Sequence, residues 1–92
     1  MSQQTPAPSI ADLAPTAEGL TAYDESHMVV YLRLLDAEAD GADWREVAQI
    51  VLDMDAVREP ERARRAFDSH LSRAKWMTEH GYRHLLDRVR SR

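Results

Sequence analysis

The chain has 92 residues, no cysteine and a formal net charge of −4. That length holds one small domain, and the missing thiols exclude a disulfide framework, thiolate chemistry and a cysteine metal site. The acidic balance argues against an ordinary nucleic-acid binder, yet it is unevenly spread: residues 1–57 carry eleven acidic and two basic side chains, residues 58–92 five acidic and ten basic.

Residues 1–22 hold Pro6, Pro8, Pro15 and Gly19, with only Ile10, Leu13 and Leu20 as sizeable apolar side chains. So little apolar area does not offset the entropy of ordering the chain. The expectation is a disordered tail over 1–22 and one helical domain over 23–92. Within the tail, Ile10-Ala11-Asp12-Leu13 has the form of a short docking motif. No basic patch leads into an apolar run, so no secretory signal is expected. No stretch approaches the ~20 apolar residues that span a bilayer. A soluble, cytoplasmic protein with no membrane contact is the expectation.

The spacing predicts a first helix from about Asp24 to Ala39, with Asp24 placed to cap the first amides and Gly41 to stop it. Met28, Leu32, Leu35 and Ala39 form one stripe, but at ~100° per residue Val30 and Leu34 fall nearly opposite Leu32. The helix is therefore apolar on two sides. A second, short helix runs from Trp44 to about Leu52, with Asp43 and Glu46 spaced as a capping box. After the polar stretch Asp53–Glu59, Pro60 suits the first position of a third helix, where its missing N–H costs nothing. That helix extends to about Glu79, with Ala63, Phe67, Leu71, Ala74 and Thr78 on one face, and Gly81 ends it. A last helix from Tyr82 to about Arg90 groups Tyr82, Leu85, Leu86 and Val89. No strand-like alternation and no internal repeat is present. The fold class is thus all-α: a small domain of helix-turn-helix type, three to four helices, with an extended turn before Pro60.

The runs Leu32-Arg33-Leu34-Leu35-Asp36-Ala37 with Gly41, Trp44-Arg45-Glu46-Val47-Ala48, Arg73-Ala74 with Met77, and Gly81-Tyr82-Arg83 with Leu85-Leu86 carry a resemblance. Over roughly residues 23–88 the chain resembles a proteobacterial family of helix-turn-helix variants that regulate conjugative elements. Its short, acidic members are the QseM-like antiactivators of integrative and conjugative elements. The resemblance implies domain mimicry: binding a transcriptional activator protein of a conjugative element and blocking transcription that controls transfer, within quorum sensing. No DNA binding is then expected, and the expected oligomeric state is a monomer.

The residues themselves leave two uses open. Val30, Arg33 and Leu34 form the second face of the first helix, which is either a protein-binding surface or a face covered by the last helix or the tail. Trp76 lies nearly opposite Phe67 on a straight helix; it is either an exposed anchor for a partner or packs beneath Tyr82. These four are the candidate protein contacts. In the alternative reading, a DNA-binding transcriptional regulator, Arg58, Arg62, Arg64 and Arg65 at the start of the third helix are the candidate DNA contacts. The plainer reading is that they offset Glu59, Glu61 and the acidic first half. His80 and His84 are spaced i, i+4, but Gly81 interrupts them, so no metal site follows. Ser26 and His27 are adjacent and point apart, so they make no nucleophile–base pair. No catalytic residue, cofactor or metal is expected, and an enzyme has no supporting constellation.

Overall fold

The computed structural model describes residues 9–90, which form five helices: α1 Ala22–Ser26, α2 Met28–Ala39, α3 Trp44–Val51, α4 Pro60–Glu79 and α5 Arg83–Arg90. No strand occurs among the described residues. The arrangement fits the helix-turn-helix type, with α3 and α4 joined by the eight residues 52–59.

The first helix of the sequence reading is two helices. At His27 the backbone leaves the helical region (φ −119°, ψ 24°). The Tyr23 carbonyl, which a continuous helix would offer to the His27 amide, lies 2.7 Å from Nδ1 of the His27 ring. The His27 amide donates instead to the Asp24 carbonyl. The cap also differs. Thr21, not Asp24, caps α1: its hydroxyl accepts from the Asp24 amide, and the Asp24 carboxylate accepts from the Thr21 amide at 2.9 Å. This is a capping box with Asp in the returning position.

The other ends follow local chemistry closely. Asp43 caps α3 by accepting from the Arg45 amide. Pro60 opens α4. Ahead of it, Asp55 Oδ1 accepts from the amides of Val57 and Arg58, closing the turn into the helix. Gly41 (φ 70°) and Gly81 (φ 89°) stop α2 and α4 in the left-handed region, where a side chain would be strained. The Ala42 and Tyr82 amides then reach back to the Ala37 and Met77 carbonyls, which satisfies the frayed ends. Asp53 (φ 57°) does the same work after α3, with the Met54 amide donating to the Ala48 carbonyl.

Helix α2 is the centre of the molecule, which explains its two apolar sides. One side meets α3, the connection and the first half of α4: Leu34 packs there with Val47, Ala48, Leu52, Met54, Ala63 and Ala66, and Val30 lies against this group. The other side meets α5 and the second half of α4, where Tyr31, Ala74, Met77 and Leu86 are buried and Leu32, Leu35, Trp76 and Tyr82 cover them. Leu34, a candidate surface residue on sequence, is 0 % exposed. Truncating Leu34 to Ala is expected to cost about 3 kcal/mol, as buried leucines do, read as a lowered urea midpoint with an unchanged slope.

Residues 1–8 of the expected tail lie outside the described residues. Residues 9–21 lie across α1 and α4, held by polar contacts and by Ile10 and Leu20, which pack against the two cores. The Ala11 amide donates to the Tyr23 hydroxyl, the Ala14 amide donates to Ser69 Oγ, and Ala14 itself is buried. Side chains on α1 and α4 thus satisfy backbone groups of this segment, a stabilisation that an apolar count does not register.

One buried ion pair ties the parts together. Arg73 on α4 donates through Nε to Asp24 Oδ1 (3.1 Å) and through Nη2 to Asp24 Oδ2 (2.7 Å). Its guanidinium also donates to the carbonyls of Ala17 and Gly19. The Tyr31 hydroxyl donates to Asp24 at 2.7 Å. Asp24 is 0 % exposed and Arg73 4 %. Burial alone would raise the Asp24 pKa; the hydrogen bonds from Arg73, Tyr31 and Thr21 outweigh it and hold the carboxyl down to about 2.

Candidate nucleic-acid interface

Helix α4 is fixed along one side and open along the other. Ala63, Ala66, His70, Arg73, Ala74 and Met77 are buried against the rest of the fold. The 3.6-residue period then sends Glu61, Arg64, Arg65, Asp68, Ser72 and Lys75 to solvent. A helix held on both cores, presenting a continuous exposed ridge after a turn, has the shape of an element that enters a groove.

The four candidate arginines gather at the start of this ridge but are in different states. Arg58 is exposed in the closing turn, beside the Asp55 carboxylate that accepts from its amide. Hydrogen bonds from the Arg58 and Val57 amides, with the Arg58 charge, hold that carboxyl below the usual range. Arg62 donates through Nε to Asp12 of the N-terminal segment at 2.8 Å and pairs with Glu59 at 3.4 Å. Arg64 donates through Nε to Asp68 at 3.1 Å, while its guanidinium lies over the Trp44 ring at 5.0 Å and near Phe67 at 5.9 Å. Arg65 has no ion-pair or hydrogen-bond partner among the described residues. Further along, Lys75 pairs with Glu38 of α2 at 2.6 Å.

The four candidate protein contacts are scattered. Leu34 is in the core, and Val30 is half-buried against it. Arg33 is exposed beside a shallow groove with Val29, Val30 and Met54. Trp76 is half-buried at the other end: it stacks on His80 at 4.8 Å, meets Tyr82 at 5.5 Å and is covered by the Arg73 guanidinium at 3.9 Å. No single surface joins the four. The paired histidines serve the backbone: His80 Nδ1 lies 2.8 Å from the Trp76 carbonyl and His84 Nδ1 lies 3.1 Å from that of Gly81. Among the described residues no group of side chains is placed to hold a metal ion.

Sequence reasoning missed Asp24 and Arg73 as a pair, and Trp44 as the support of Arg64. The cap at Thr21 had a signal, since Thr21-x-x-Asp24 is itself a capping-box spacing, but the meeting of Asp24 with Arg73 had none. The support of Arg64 by Trp44 had none either, because the two residues meet only when α3 packs on α4.

The family model described as "T6SS, Transcription factor, DNA binding domain", the RovC DNA-binding domain, matches residues 4–87. No curated protein matches. The family match overturns the resemblance to QseM-like antiactivators, and with it the expected activator partner and the exclusion of DNA. It carries no link to conjugative transfer or quorum sensing, and the family is one of transcription factors rather than enzymes. Net charge points the wrong way for a physical reason. The molecule extends over 41 × 36 × 25 Å, whereas charges at the surface are screened beyond about 8 Å at physiological salt. Acidic side chains farther than that from the α4 ridge therefore have little effect on what it binds, whereas Glu38 of α2 touches the ridge at Lys75. No described helix is long and apolar enough to cross a membrane. The chain belongs to the family of RovC-type DNA-binding domains of T6SS transcription factors.

Proposed function

We propose that this chain binds duplex DNA as part of a transcription regulator, with α4 as the helix that enters the major groove. The observation that carries this reading is the ridge of α4. Its buried side is locked onto both cores, and its first two exposed turns carry Arg64 and Arg65 next to Arg58 and Arg62. Recognition helices use their N-terminal residues on base edges and phosphates, which is where these cations lie. Arg65, unpaired and exposed, suits a phosphate oxygen. Arg58 at the turn suits the adjacent backbone.

The test is selection of duplex sequences from a random pool by the full chain, followed by a salt series on the winner. A preferred sequence should emerge, with affinity falling steeply as salt rises. Replacing Arg65 with Ala should weaken binding to all sequences alike and reduce the salt slope by about one. Failure to enrich any sequence would remove the reading.

Asp12 provides a second handle. Its carboxylate holds the Arg62 guanidinium where a phosphate would otherwise compete for it. Exposed pairs of this kind are worth about 1 kcal/mol at most. Asp12→Asn should therefore tighten DNA binding, by no more than about fivefold, in a fluorescence-anisotropy titration at low salt. Weaker binding by that variant would contradict competition between Asp12 and a phosphate for Arg62.

A further inference from the structure

Among the arginines on the ridge, one is in contact with two aromatic rings as well as a carboxylate. Trp44 and Phe67 meet in a tilted pair 6.2 Å apart, and the Arg64 guanidinium lies over both rings. Asp68, one turn further along α4, accepts from Nε at 3.1 Å. Two rings and a carboxylate thus contact one guanidinium. Nη1 and Nη2 have no hydrogen-bond partner among the described residues, and the side chain is 50 % exposed. The other arginines differ. Arg62 is turned to Asp12 and Glu59, and Arg65 is unrestrained.

A planar fork with two free donors matches the O6 and N7 acceptors that guanine shows in the major groove. A long side chain that must be ordered on binding gives up rotamer freedom, and the contacts of Arg64 with Trp44, Phe67 and Asp68 in the folded chain reduce that loss. A bare phosphate contact does not require such ordering; base readout gains from it. We infer that Arg64 is the specificity-determining residue of this domain, reading a guanine through Nη1 and Nη2, with Asp68 and Trp44 as its positioning residues. The inference rests on the DNA-binding reading above and adds the base that is read and the residue that reads it.

The experiment uses the duplex selected by the full wild-type chain. Each guanine is replaced in turn by 7-deazaguanine, which lacks N7, and affinities are measured for the wild type, Arg64→Ala, Arg64→Lys, Asp68→Ala and Asp68→Asn. At one guanine position the replacement should weaken wild-type binding by about fivefold or more. The same replacement should leave Arg64→Ala unaffected. Arg64→Lys should keep the salt slope but lose most of the preference at that base pair. Asp68→Ala should relax the preference there and nowhere else, and Asp68→Asn, which keeps an acceptor for Nε, should restore it. Circular dichroism should be unchanged for all four variants, since both positions are exposed. If Arg64→Ala weakens every sequence equally, or leaves the base profile intact, Arg64 is a phosphate contact or a packing residue and the inference is overturned. If the wild type itself selects no sequence, the DNA reading fails, an outcome visible before any variant is made.

Discussion

Replacing Asp24 with Ala is expected to destabilise the fold by about 3–5 kcal/mol, the usual cost of stranding one partner of a buried ion pair. The Arg73 guanidinium would be left at 4 % exposure with its carboxylate gone, and the Tyr31 hydroxyl would lose its acceptor. For a domain whose whole stability is about 5–15 kcal/mol, this removes about a fifth of it at the upper end of that range and nearly all of it at the lower. The same pair predicts an acid limit. A carboxyl held at about 2 in the folded state, against 3.8 as its ordinary value, stabilises the fold at pH above about 4. That contribution, roughly 2 kcal/mol, is lost as the pH falls towards about 2. His70 acts in the same direction at milder acidity. Burial lowers its pKa, and its neutral ring sits between the Ala66 carbonyl, to which Nδ1 donates, and the Tyr23 hydroxyl at 2.6 Å from Nε2. Urea melts between pH 7 and 2 should therefore show stability falling with pH. Asp24→Ala should lack the step below pH 4. A single-residue cost under about 1 kcal/mol would mean that the pair is not formed in solution.

Reversing Arg64 and Arg65 together to Glu should abolish detectable DNA binding, by about a hundredfold or more. Two favourable charges on the ridge become two that oppose phosphate, and like-charge juxtaposition at an interface costs several kcal/mol. Both positions are exposed, so the fold should lose only about 1 kcal/mol, chiefly the contact of Arg64 with Trp44. The thermal melt and the DNA titration of one preparation separate the two effects. Binding within a few-fold of wild type would place the interface elsewhere on the molecule.

Much of the fold was legible because local signals and tertiary needs agree. Pro60 and Gly81 bracket α4, and its observed span Pro60–Glu79 is that read from sequence. Asp43 marks the start of α3 for the same reason. The parts that were not legible depend on partners distant in the chain. Leu34 and Val30 look like a second surface on a helical wheel, and only the packing of α3 and α4 on that side of α2 makes Leu34 core and half-buries Val30. The break at His27 arises from a ring competing with its own backbone, which leaves no periodic trace. For the candidate site, the position of the arginines at the start of α4 was readable from composition, but their individual states were not. Asp12 stands 50 residues before Arg62, and Trp44 lies 20 before Arg64; no short-range pattern encodes either meeting. Net charge misled because one sum over the chain does not say where the basic residues gather.

The most direct measurement is a titration of isotope-labelled full chain with its selected duplex, followed by the backbone amide resonances in NMR. The expected result is that the largest shifts fall on residues 58–68, with smaller changes at residues 12 and 44 and little along the buried side of α4. Shifts gathered on α2 or α5 with residues 58–68 unmoved, or no shifts at any duplex concentration, would contradict the assignment of α4 as the DNA-reading helix.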